Sequence, residues 1–143
     1  LLDPLGNRRS INDLCGHGGD SKERRSDCES GGVARYYLIE QGRNARLSTE
    51  ITGYSVSALC YLYRETHEDA YLDAARKAGA FLTRLAWDPR LPVFPFEYPP
   101  TTAPDENRAF FFDCGIIVRG LITLWRTTGE PEYLDAARNC GTG

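Results

Sequence analysis

The sequence predicts an all-α chain of antiparallel helical hairpins, forming part of an (α/α)n toroid or solenoid, with an irregular N-terminal segment and a proline-rich inter-hairpin loop. An internal repeat is the first observation behind this. Tyr71-Leu72-Asp73-Ala74-Ala75-Arg76 recurs as Tyr133-Leu134-Asp135-Ala136-Ala137-Arg138, an offset of 62. The same offset pairs Gly53 with Gly115, Val56 with Val118, Leu59 with Leu121, Arg64 with Arg126 and Glu68 with Glu130, giving 14 identities over the 27 positions 53–79. The second observation is helical spacing of apolar residues within each copy. Stacked hairpins bury their inner faces against neighbours, so two hairpins read as part of a larger array.

Residues 1–31 form a polar, glycine-rich lead-in. Cys15, His17 and Cys28 within it lack a close cysteine pair and a second histidine, so they do not make a zinc pattern. Residues 32–52 form a short ordered segment in which Val33 to Ile39 is extended and Gln41-Gly42-Arg43-Asn44 signals a turn. Hairpin 1 spans 53–86. Its first helix, about Gly53–Thr66, is apolar on nearly every side and is expected to be buried. Its second, about Asp69–Ala86, carries Tyr71, Ala74, Ala75, Ala78, Leu82 and Leu85 on one stripe and Asp73, Arg76, Lys77 and Arg84 on the other. His67, aligned with Gly129, is expected to cap the first helix. A Pro/aromatic loop spans 87–112: six of the eight prolines lie in 88–107, yet Phe94, Phe96 and Tyr98 alternate at the strand period of two. Hairpin 2 spans 113–143 and stops inside the helix that its counterpart completes. With no methionine in the sequence, the chain is expected to be an excerpt from a longer one.

A length of 143 residues with 41% hydrophobic and 26% charged residues suits one domain, here an incomplete one. A net charge of −3 and a pI near 5.4 argue against a nucleic-acid partner. The longest uncharged run, Ile51–Tyr63, is shorter than the roughly 20 apolar residues a bilayer-spanning helix needs. Five cysteines at irregular spacing suggest reduced thiols and a cytoplasmic setting. No cofactor is indicated.

The residues preceding each first helix carry the candidate chemistry. Glu50 and Asp113 recur near equivalent places, one residue out of register, and are the candidate catalytic pair. Two carboxylates on one cleft suit glycoside hydrolysis, one protonating the leaving oxygen and the other acting as base or nucleophile; they also suit proton abstraction in an epimerase. The competing role for Asp113 is a helix cap, a role that Thr52 already offers beside Glu50. Arg35, Tyr36, Tyr54, Phe96, Glu97 and Tyr98 are candidate substrate contacts, Glu97 lying between two rings able to stack on sugar. Cys114 at a helix N-terminus is expected to be a packing residue, and Asp73 with Arg76 and Lys77 an ordinary solvated face.

Gly31-Gly32-Val33-Ala34-Arg35-Tyr36-Tyr37, Thr49-Glu50-Ile51-Thr52-Gly53-Tyr54 and Phe112-Asp113-Cys114-Gly115 ahead of the Tyr-Leu-Asp-Ala-Ala-Arg helix resemble the six-hairpin glycosidase-like superfamily, and within it bacterial polysaccharide-associated proteins of unassigned activity. The resemblance covers roughly 31–143. It implies a ring of inner and outer helices, a carbohydrate partner in a central cleft, and acids at Glu50 and Asp113. Where those proteins often carry Tyr-Pro before the Glu, this chain has Ser48-Thr49, and where they often carry Gln after Asp-x-Gly it has Ile116. The expected function is therefore a carbohydrate-active protein, glycosidase-like or sugar-epimerase-like. The alternative is a non-catalytic α-repeat binding or scaffold protein. A terpene cyclase is disfavoured, because the chain has no Asp-Asp pair and only one glutamine, Gln41.

Overall fold

The computed structural model describes residues 30–103 and 107–140. In chain order its elements are β1 (Val33–Ala34), β2 (Tyr37–Leu38), a 3-10 turn (Ile39–Gln41), β3 (Arg43–Asn44), β4 (Leu47–Ser48), α1 (Thr49–Thr66), α2 (Asp69–Ala80), a π-helical turn (Phe81–Ala86), β5 (Glu97–Tyr98), α3 (Phe111–Thr128) and α4 (Pro131–Asn139).

The five strands correct the all-α, toroidal expectation: the described residues form a small mixed α/β fold, in which four α-helices accompany two antiparallel sheets. β4 is the centre of a three-stranded sheet, with Ser48 opposite both Val33 and Glu97, and Leu47 opposite Ala34 and Tyr98. β2 and β3 form a second ladder, closed at Gly42, whose φ of 62° is a left-handed conformation that glycine adopts without a Cβ penalty. The extended character of 33–39 and the alternation at Phe94, Phe96 and Tyr98 therefore contribute strands that the helical repeat gives no hint of. Pro95, Pro99 and Pro100, which cannot donate to a ladder, confine β5 to two residues.

α1 and α3 are both 18 residues long and start 62 positions apart, as the repeat requires. α1 packs against α2 and α3, while α4 packs back on α3. Closest approach is at two glycines: a Cβ on Gly53 would lie 2.9 Å from the Ile117 Cα, and one on Gly120 would lie 2.6 Å from the Gly53 carbonyl oxygen. Around this crossing Val56, Ile117, Leu121 and Leu124 are fully buried, joined by Phe81, Leu82, Phe94 and Tyr133.

Two local expectations need correction. α1 is not buried all round: Thr52, Gly53, Val56 and Cys60 face inward, while Tyr54, Ala58 and Tyr61 are exposed. Leu85 is also exposed, because the π turn widens the helix and brings Ala86, rather than Leu85, inward beside Leu82. Both first helices end as expected on a left-handed cap, His67 at φ 56° and Gly129 at φ 76°, each donating its N–H to a carbonyl of the last turn, Tyr63 and Trp125. The Arg76 guanidinium bonds Glu130 at 2.9 Å, and Arg84 bonds both oxygens of Glu132 at 3.0 Å. These contacts tie the outer helix of hairpin 1 to hairpin 2.

Candidate functional site

The central strand β4 runs directly into α1, and Ser48 is the hinge between them. Its hydroxyl accepts from the Ile51 N–H, so Ser48 is the α1 cap. Thr52, expected in that role, instead accepts the Val33 N–H and donates to the Ser48 carbonyl, fastening β1 to the helix. Thr49 donates to the Pro95 carbonyl and pins the proline-rich segment at the same point. Glu50, half-buried, is thereby held in the first turn of α1, two residues after Ser48, which pairs with both β1 and β5.

Asp113 occupies the corresponding first turn of α3. It is not a cap: Phe110 holds that position without a side-chain bond, and Asp113 lies inside the helix. The Asp113 residue is only 6% exposed, and its Oδ2 is buried with no hydrogen-bond partner. Burial pushes its carboxyl above the ordinary aspartate range, the negative charge of Glu50 pushes it further, and the positive charge of Arg35 opposes them. These electrostatic couplings place Glu50, Arg35 and Asp113 in one neighbourhood.

Arg35, one residue beyond β1, lies with its guanidinium carbon 3.9 Å from the centre of the Phe96 ring. Its Nη1 is 3.8 Å from Glu97, within ion-pair range but beyond hydrogen-bond reach, and this nitrogen is also buried without a bonded partner. Arg46 reaches the other oxygen of Glu97 at 3.3 Å and donates to the Pro99 carbonyl. Arg35 Nη1 and Asp113 Oδ2 are the two buried side-chain polar atoms without a hydrogen-bond partner among the described residues. Buried polar groups are nearly always hydrogen-bonded, which sets these two atoms apart.

The structure thus brings together Glu50, Asp113, Arg35, Phe96 and Glu97. The rings, however, are already engaged within the protein. Phe96 carries Arg35 on its face and meets Phe110 edge-on at 5.0 Å, and Tyr98 packs edge-on against buried Phe81 at 5.4 Å. Phe96 and Tyr98 thus pack against Phe110 and Phe81 on the two sides of Glu97 in the chain. Tyr54 is 40% exposed on α1, one turn beyond Glu50, with Arg119 of α3 lying 5.6 Å from its ring centre. Tyr36 is 58% exposed between β1 and β2, and its carbonyl accepts the Ala45 N–H.

A pocket of about 300 Å³ opens beside α3, lined by Val93, Ala109, Phe110, Phe111, Cys114, Gly115, Val118 and Cys140, with neither Glu50 nor Asp113 in its wall. Sequence reasoning passed over Arg46, Arg119, Phe110 and Cys140. The first three act through contacts between segments far apart in the chain, and Cys140 carries no local motif. Among the described residues no group of three or more His, Cys, Asp or Glu is placed to hold a metal ion. Cys15, His17 and Cys28 lie outside the described residues. No described helix is long and apolar enough to cross a membrane.

No family model matches the chain. It is similar, at 28% identity over 98 residues, to a Caenorhabditis elegans protein whose description is "uncharacterized". That match takes in 66% of this chain and 13% of the curated protein's length, so the chain corresponds to a small part of that relative.

Proposed function

We propose that the Arg35–Glu50–Asp113 cluster binds an oligosaccharide or polysaccharide and acts on it through its two carboxyl groups. The observation that carries this reading is that Arg35 Nη1 and Asp113 Oδ2 are both buried without a hydrogen-bond partner. A ligand rich in hydroxyls suits both, since each hydroxyl accepts from a guanidinium and donates to a carboxylate. Two carboxyl groups on one cleft are also what acid–base catalysis requires. Asp113, whose carboxyl is raised above the ordinary aspartate range by burial and by Glu50, is assigned the role of proton donor. Glu50, the less buried of the two, is the base or nucleophile. Glycoside hydrolysis and epimerisation beside a carboxylate both follow from this division of roles. Tyr54 and Tyr36 supply exposed rings, one a turn beyond Glu50 and the other next to Arg35 in the chain. The resemblance to six-hairpin glycosidase-like proteins supports the same substrate class.

A second reading, a non-catalytic binding or scaffold protein, is favoured by the pocket beside α3, which neither carboxylate lines. Both readings are tested by incubating the full-length protein with acidic and neutral oligosaccharides and following products by NMR. The wild type is expected to give new anomeric or epimerised signals, and Glu50→Gln to reduce their rate by about 10²–10⁴-fold. Line broadening without turnover in either protein replaces catalysis with binding. The absence of both broadening and turnover removes the carbohydrate reading altogether.

A further inference from the structure

Cys114 and Cys140 come from the two helices of the second hairpin and meet at the wall of the same pocket. Cys114 lies in the first turn of α3, and its sulfur is 4.0 Å from the Phe94 carbonyl oxygen. Cys140 is the residue at which α4 ends, and its N–H donates to the Ala136 carbonyl. Cys140 is the neighbour that acts most strongly on the Cys114 thiol. Both are free thiols. We infer that Cys114 and Cys140 form a dithiol modification site, open to a small disulfide of the glutathione class through the pocket, which converts them to an intramolecular disulfide.

The chemistry balances as an exchange. Cys114 loses its proton to solvent and its thiolate attacks one sulfur of the small disulfide. That S–S bond breaks, and the first small thiol departs with a proton. Cys140 then gives up its proton and attacks the Cys114 sulfur of the mixed disulfide, releasing the second small thiol. The protein loses two hydrogens and two electrons, and the small disulfide gains them.

The roles of the two sulfurs differ. The hydrogen bond from Cys140 favours the Cys114 thiolate and, with the Phe94 contact, brings Cys114 down to about 6 against the opposing effects of burial and of the Asp113 charge. Cys140, as the donor, is pushed up. Cys60 provides an internal reference: it is buried in the core and burial pushes its thiol up.

The test treats the folded full-length protein with oxidised glutathione and maps tryptic peptides without reduction. Cleavage after Arg108, Arg119 and Arg138 puts Cys114 and Cys140 in separate peptides, and Cys60 falls in a third, between Arg46 and Arg64. The expected product links peptide 109–119 to the peptide beginning at Asn139. Cys140→Ser should instead retain glutathione on Cys114, and Cys114→Ser should leave Cys140 largely unmodified. At pH 7, wild-type Cys114 should be alkylated by iodoacetamide at least about 10-fold faster than Cys60, an advantage that shrinks in Cys140→Ser. Linkage of either residue to Cys15, Cys28 or Cys60, a mixed disulfide that persists on wild-type Cys114, or two thiols that stay free would each overturn the inference.

Discussion

The two hairpins share a repeat, yet their first helices begin differently. α1 grows out of the central strand, is capped by Ser48, and is braced through Thr49 and Thr52 to the loop and strand around it. α3 follows a proline-rich segment, has no side-chain cap, and starts with Phe111 95% exposed. The same sequence unit therefore supplies an anchored end and an open one. The two acids come from these ends, and the one-residue shift between Glu50 and Asp113 gives them different positions within otherwise matched first turns.

The repeat glycines should expose this difference most strongly. Gly53 abuts the backbone of Ile117, whereas a Cβ added at Gly115 would meet no neighbouring atom within 4 Å. Gly53→Ala is therefore expected to cost about 1–3 kcal/mol, because helix backbones must separate. Gly115→Ala is expected to stabilise α3 by about 0.5–1 kcal/mol through helix propensity alone. Urea denaturation of both variants checks the pair, and equal effects of one sign would mean that the two glycines are equivalent after all.

Next in size is the buried acid. A carboxyl raised in the folded state favours the protonated form, so its stabilising contribution is present at low pH and is lost as pH rises from the ordinary aspartate range through the raised folded value. Asp113→Asn should remove that segment of the stability–pH curve and at neutral pH be more stable than wild type by on the order of 1 kcal/mol. Thermal melts across pH 3–8 measure it. A parallel curve for the variant would show that Asp113 is solvated in the folded protein.

The caps come third. His67 holds φ 56° with a Cβ, and Gly129 holds φ 76° without one. His67→Gly should gain, and Gly129→Ala lose, about 1 kcal/mol, read from denaturation midpoints. The smallest effect belongs to the outer ion pair: Arg84→Ala should lower the denaturation midpoint only slightly, by an amount that shrinks with added salt, since both partners reach solvent.

The helices and their left-handed C-terminal caps were legible because periodicity, a turn residue and a 62-residue repeat are local or self-referential signals. The sheets were legible only as extended character at 33–39 and alternation at Phe94, Phe96 and Tyr98, not as pairings. Val33, Ser48 and Glu97 become neighbours only through pairing across long stretches of chain. The site follows the same division. Glu50 and Asp113 stand out beside the repeat, whereas the Arg35–Phe96 contact and the Arg46–Glu97 pair depend on the sheet. The pocket thiols depend on how α4 folds back on α3, and Cys114 read alone looks like packing.

Asp113 as a buried, unpaired acid under the influence of Glu50 underlies both the proposed chemistry and the contrast between the hairpins. Its carboxyl carbon chemical shift, followed by NMR through a pH titration, reports on that state without an intermediary. The midpoint is expected above the ordinary aspartate range, and lower in Glu50→Gln than in the wild type. A midpoint at or below the ordinary range, unchanged by Glu50→Gln, would mean that Asp113 is neither desolvated nor coupled to Glu50.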